Sequence, residues 1–117
     1  MPKLLEIRVA PASDALDRFE AAWNRAVEGR PVRTLHVLSF IDLPQLLKTL
    51  SPARLQLLQK LREAGPVTIY ELGTRLQRNY KNVHTDVTQL AALGLIERRS
   101  DNLVTVAWDV LRAEWSL

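Results

Sequence analysis

The sequence predicts an α+β protein: a strand–helix–strand unit at the N-terminus, then helices that close on a β-hairpin. Three observations carry this. Apolar residues alternate at Leu5, Ile7 and Val9, the period of a strand with one side buried. They recur at helical spacing over residues 15–27 and again in the segments after Ser51. Two β-prone runs then flank the turn Ser100-Asp101-Asn102.

The first strand covers residues 3–9, with Glu6 and Arg8 on its second face, and Pro11 ends it. Ser13 and Asp14 offer N-caps to a helix whose stripe is Ala15, Leu16, Phe19, Ala22, Trp23, Ala26 and Val27. Gly29 and Pro31 stop that helix. Residues 32–41 read as a second extended stretch, and Asp42 caps a short helix bearing Leu43, Leu46, Leu47 and Leu50. No glycine-rich or low-complexity linker follows, so the two parts are expected to share a core.

Ser51-Pro52 is an N-cap followed by proline at the first helical position. This helix carries Leu55, Leu58 and Leu61 on one face and stops at Ala64-Gly65-Pro66. Val67-Thr68-Ile69 is short and extended, and Thr68 and Glu71 stand at capping-box spacing before a helix with Leu72 and Leu76. Arg78-Asn79 makes a tight connection into a third helix, residues 80–93, closed by Gly94. Residues 95–99 and 103–107 form the hairpin. Helix, short strand, helix, turn, helix, hairpin is the layout of a winged helix-turn-helix domain. The expected division is therefore 1–50, an N-terminal unit with its connecting helix and a dimerising role, and 51–117, a winged helix-turn-helix domain that binds DNA.

At 117 residues the chain is about one domain's worth of polypeptide, 47% hydrophobic and 25% charged, a globular mix. Its net charge of +3 and pI near 9.7 exclude an acidic disordered tail and suit a nucleic-acid partner. Cysteine is absent, which excludes disulfides, thiolate zinc sites and cysteine nucleophiles. The longest apolar runs are about five residues, far short of the roughly 20 that cross a bilayer. The N-terminal Met1-Pro2-Lys3-Leu4-Leu5-Glu6 lacks a hydrophobic signal region, so the expected location is the cytoplasm, away from membranes. His36 and His84 are far apart in sequence, Gly29, Gly65, Gly73 and Gly94 are isolated, and Ser51 and Ser100 serve as cap and turn residues. No enzyme activity, metal or cofactor is expected.

With Val83, Val87 and Leu90 as the buried stripe of the third helix, steps of about 100° per residue put Lys81, Thr85, Thr88, Gln89 and Ala92 on the opposite face. Asn82 and His84 flank them. The face has no large apolar residue, one cation and several short hydrogen-bonding side chains, which suits a helix lying in a major groove. Lys81, Thr85, Thr88 and Gln89 are the expected base readers, with Asn82 and His84 assisting. Arg75, Arg78, Asn79 and Tyr80 cluster at the N-terminal end, where free amides and the helix dipole favour a phosphate. Arg98, Arg99 and Asn102 beside the hairpin tip are the expected second contact, to backbone or minor groove. Across residues 75–99 five basic side chains meet two acids, a surplus equal to that of the whole chain. Plainer roles stand beside these: Tyr80 packing on Leu76, His84 and His36 in structural hydrogen bonds, and Asp86 turned sideways to pair with Lys81, Arg78 or Arg99.

The runs Leu50-Ser51-Pro52-Ala53-Arg54-Leu55-Gln56-Leu57-Leu58 and Gly65-Pro66-Val67-Thr68-Ile69-Tyr70-Glu71-Leu72 resemble the opening helices of bacterial and archaeal winged-helix regulators. Tyr80-Lys81-Asn82-Val83-His84-Thr85-Asp86-Val87, followed by Leu90 and Gly94-Leu95-Ile96-Glu97, is similar to the small predicted regulators described as DNA-binding antitoxins of toxin–antitoxin pairs. The likeness extends to Leu38-Ser39-Phe40 and Trp108-Asp109. It implies a homodimeric repressor on double-stranded DNA that controls its own operon and neutralises a toxin protein.

The rival from another class is a winged-helix module that grips a toxin partner with little or no DNA binding. A ligand-sensing repressor is a third reading, for which no buried polar cluster marks a pocket. Phe19 and Trp23 offer a helix face for a symmetric dimer contact, the unit's strand edges are another route, and packing onto the winged domain is the simpler role. The apolar tail residues Val110, Leu111, Trp115 and Leu117 have three open destinations: the body, a second protomer or a protein partner.

Overall fold

The computed structural model describes residues 2–9, 20, 23, 24, 27, 29, 36–115 and 117. In chain order its elements are β1 (Leu4–Val9), β2 (Val37–Phe40), α1 (Leu43–Thr49), α2 (Pro52–Ala64), α3 (Ile69–Leu76), α4 (Tyr80–Ala92), β3 (Glu97–Arg98), β4 (Val104–Thr105) and β5 (Val110–Glu114). The chain is mixed α and β, and it divides into two compact units, 1–48 with 110–117, and 49–109. Among the described residues no helix is long and apolar enough to cross a membrane.

In the first unit β1 is the middle strand of a parallel sheet ordered β2-β1-β5. Leu5 and Ile7 are buried, and the register sets Ile7 beside Leu38 and Val9 beside Phe40, so the buried Phe40 shares their face. Parallel neighbours need a long crossover, and Glu20, Trp23, Asn24 and Val27 between β1 and β2 are helical. Asp42 caps α1 as expected: its Oδ1 accepts from Gln45 N at 2.9 Å while Gln45 Oε1 accepts from Ile41 N at 2.9 Å. Ser13, Asp14, Phe19 and the start of the expected second strand lie outside the described residues.

The C-terminal segment departs from the expected division. The sequence pattern places residues 110–117 in the DNA-binding domain, but β5 pairs with β1 from Leu4 opposite Val110 to Arg8 opposite Glu114. Val110 N donates to Lys3 O at 3.3 Å. The reason is physical: a lone strand pair is marginal in water, and a third strand gives the sheet's middle strand partners on both edges.

In the second unit, Ser51 Oγ accepts from Arg54 N at 3.3 Å with Pro52 opening α2, and Gly65 at φ 74° closes it. Thr68 Oγ1 accepts from Glu71 N at 3.1 Å and starts α3. Leu57, Leu61, Leu72, Val83, Val87, Leu90 and Leu95 are fully buried and form the core. Leu55, expected on the buried face of α2, is exposed, and Leu57 takes its place beside Leu58 and Leu61. Helical steps put Arg54, not Leu55, on the side of Leu57, Leu58 and Leu61, and its side chain is 15% exposed. The hairpin is shorter than expected because Leu95 and Ile96 turn into the core, leaving β3 and β4 two residues each. Val67 adds a bridge to β4, exchanging bonds with Val104 at 3.2 and 2.8 Å. Trp108 Nε1 donates to Gly94 O at 2.9 Å, tying the segment after the hairpin to the end of α4.

Gly73 lies where α3 meets the turn into α4. A Cβ there would lie 3.5 Å from Arg78 O and 3.9 Å from both Tyr80 Cα and Val83 Cγ2, which is ordinary contact. Gly73→Ala is expected to add roughly 0.5–1 kcal/mol of stability through helix propensity. Gly73→Leu should cost about 1–3 kcal/mol by overpacking the crossing. Urea unfolding followed by circular dichroism reads both, and equal stability of the two variants would mean the helices are not held this closely.

Candidate nucleic-acid interface

Burial of Val83, Val87 and Leu90 rotates α4 so that Lys81, Asn82, His84, Thr85, Thr88, Gln89 and Ala92 are all exposed. Lys81, Thr85 and Ala92 run down the middle of this face, with Thr88 and His84 on one flank and Gln89 and Asn82 on the other. An arginine reaches each flank. Arg98 Nη2 of β3 donates to Thr88 Oγ1 at 2.9 Å, and Arg54 Nη2 of α2 donates to Gln89 Oε1. The Thr85 hydroxyl donates to Lys81 O at 3.0 Å, which leaves both lone pairs of its oxygen able to accept. Two predicted base readers are thus oriented by neighbouring cations.

Asp86 is the electrostatic anchor of the face. Arg54 Nε lies 3.1 Å from its Oδ1, and Arg78 Nη2 lies 2.8 Å from its Oδ2. The side chains are 15%, 15% and 28% exposed for Arg54, Asp86 and Arg78, so these pairs are largely withdrawn from solvent. Arg54 Nη1 also donates to Thr49 O at 3.2 Å. Of the partners the sequence suggests for Asp86, Lys81, Arg78 and Arg99, Arg78 is the one that pairs with it, and Arg54 is an additional partner. The signal was present, because Arg54 falls on the inner side of α2 by helical phase alone.

At the N-terminal end of α4, Asn79 Oδ1 accepts from Lys81 N at 2.8 Å and caps the helix. Tyr80 is half exposed, its ring 6.5 Å from that of Tyr70 and 5.8 Å from the His84 imidazole, so it packs in an aromatic row. Arg78 is held inward by Asp86. Arg75 was expected to join this cluster, yet it lies on the α2-facing flank of α3, in a cleft with Gln56, Gln59, Lys60 and Glu63, and pairs with Glu71 at 3.0 Å. Arg75 stands two residues, about 200° of helix, from Gly73 on the side of α3 that meets α4, so it turns away from that side.

At the hairpin tip, Asn102 adopts φ 68°, the left-handed conformation that asparagine tolerates in tight turns. Arg99 N donates to Leu103 O at 2.8 Å, and the Arg99 guanidinium lies 3.2 Å from Asp101 Oδ2. Both side chains of that pair are about half exposed, so the contact is weak and solvent-screened. Among the described residues no cluster of His, Asp or Glu has the arrangement of a metal site.

The HVO_A0114 family model matches residues 49–113, more than half of the chain. The chain belongs to the HVO_A0114 family. The matched segment takes in the whole second unit and runs on into β5 as far as Ala113. No curated protein and no solved structure shows significant similarity to the chain.

Asp86→Ala removes the charge that two guanidinium groups share. The expected cost is about 2–3 kcal/mol in unfolding free energy, because uncompensated cations remain in a poorly solvated place. Denaturant titration checks it, and a loss under roughly 0.5 kcal/mol would place the triad with ordinary surface pairs.

Proposed function

We propose that this member of the HVO_A0114 family is a winged helix-turn-helix regulator that binds double-stranded DNA in a sequence-specific manner as a homodimeric repressor. The second unit supports the fold reading: α2, the Val67 bridge, α3, a tight turn at Gln77–Asn79, α4 and the β3–β4 hairpin follow one another in the winged-helix order. One observation carries the functional reading. The solvent face of α4 is polar, lacks any large apolar side chain along Lys81, Thr85 and Ala92, and is flanked by hydrogen-bonding residues that Arg54 and Arg98 hold in place. In this reading Lys81, Thr85, Thr88 and Gln89 read base edges, with Asn82 and His84 beside them. The α4 N-terminus with Asn79 and Tyr80 meets phosphate, and Arg99 and Asn102 on the hairpin reach backbone or minor groove.

A second reading is favoured by one feature. Trp23 and Val27, four residues apart on helical backbone, are 61% and 70% exposed and form an apolar surface suited to a protein partner such as a toxin. The two roles are compatible in one dimer, and a repressor that also neutralises a toxin uses both surfaces.

Fluorescence anisotropy of the purified protein against its own upstream DNA and a scrambled duplex, at two salt concentrations, tests the DNA reading. Preference for the upstream duplex by about a hundredfold or more is expected. Lys81→Ala and Thr85→Ala should each erode that preference by roughly 1–3 kcal/mol if a base contact is lost, whereas Arg99→Ala should weaken both duplexes alike. Equal losses on both duplexes for every variant would refute base reading by α4, and absence of binding would refute the whole proposal.

A further inference from the structure

β5 is an edge strand, since the sheet order is β2-β1-β5 among the described residues. Its register with β1 sets Glu6 beside Arg112 and Arg8 beside Glu114, and Val110 N donates to Lys3 O. Backbone groups along a strand alternate between its two edges. Val110, Arg112 and Glu114 therefore turn their N–H and C=O groups toward β1, and those of Leu111, Ala113 and Trp115 point outward. Such an outward row is a template for a further strand. Side chains sort in the same way. Arg112 and Glu114 share a sheet face with Glu6 and Arg8, where charges already alternate from strand to strand. Leu111, Ala113 and Trp115 lie on the face of the buried Leu5 and Ile7.

We propose that β5 pairs antiparallel with β5 of a second copy of this chain, about a two-fold axis at Ala113, joining the two sheets into one. The charges select this register. Outward groups on both copies allow only registers that oppose odd-numbered residues. Centring on Arg112 sets Arg112 against its own copy, and centring on Glu114 does the same for glutamate. Those are like-charge contacts at the close, non-hydrogen-bonded positions. Centring on Ala113 instead sets each Arg112 opposite the second copy's Glu114. Charges then alternate in a row through Glu6, Arg112, the second copy's Glu114 and its Arg8. On the other face Ala113 forms a hydrogen-bonded pair with its symmetry mate, and Trp115, 53% exposed in the single chain, lies across from the second copy's Leu111. The inference specifies the contact of the proposed homodimer, but it rests on strand chemistry and not on DNA binding.

Sedimentation velocity of the full chain without DNA tests it. The wild-type protein is expected to be a dimer at micromolar concentration. Arg112→Glu and Glu114→Arg should each raise the dimer dissociation constant about tenfold or more, by turning both cross-strand pairs repulsive. An equimolar mixture of the two variants should associate again, because the mixed dimer opposes unlike charges in both pairs; misfolding cannot imitate that recovery. Ala113→Pro removes an outward N–H without touching the β1 pairing and should yield a monomer with an unchanged circular dichroism spectrum. A monomeric wild type, charge variants that dimerise like the wild type, or a mixture that stays dissociated would overturn the proposal. So would a dimer that survives the β5 variants and is lost in Trp23→Arg, which points to the helix face. A dimer of the proposed kind without preference for upstream DNA would defeat only the DNA reading.

Discussion

The carboxylate of Asp86 is the interaction on which the helical unit's geometry depends. It gathers Arg54 from α2 and Arg78 from the α3–α4 turn onto α4, at 3.1 and 2.8 Å. Apolar packing alone leaves helices some freedom to rotate and slide, because it is non-directional. A largely buried carboxylate with two directed partners removes much of that freedom and holds in place the face of α4 that apolar burial leaves outside. The cost is desolvation of three charges, which is offset only because both oxygens of Asp86 are engaged and Arg54 finds a further acceptor in Thr49 O.

That anchor also shapes the exposed surface. The guanidinium of Arg54 does two jobs at once, pairing with Asp86 and reaching Gln89. Arg98 does the same kind of service for Thr88 from the hairpin. A polar side chain held by a neighbour loses less rotamer entropy on meeting a ligand than one that waggles freely. Basic residues counted in the sequence are thus divided between those that organise the face, Arg54, Arg78 and Arg98, and those that present charge at its middle and at the hairpin tip, Lys81 and Arg99.

The first unit follows a different rule. Its sheet is completed only when the chain, having built the whole second unit, returns to β1 at Val110. Pairing Leu4 with Val110 closes a very long loop, whose entropic cost grows slowly with length but delays formation of the sheet. The helical unit, made of nearby contacts, has no such requirement. The exposed strand left at the margin is then a consequence of topology, and its alternating charges are the feature that gives it a preferred partner.

Local rules were legible in the sequence. Asp42, Ser51, Thr68 and Asn79 cap helices, and Gly65 and Gly94 end them, because caps and stops depend on a few neighbouring backbone groups. The buried stripe of α4 and its polar opposite face follow from helical period in the same way. What only the tertiary structure decided lies between segments distant in sequence. It moved residues 110–117 to the N-terminal sheet, turned Arg75 toward α2 and made Asp86 the partner of the inward-facing Arg54. Each of these outcomes depends on which surface a segment meets, and periodicity within one segment carries no information about its partner.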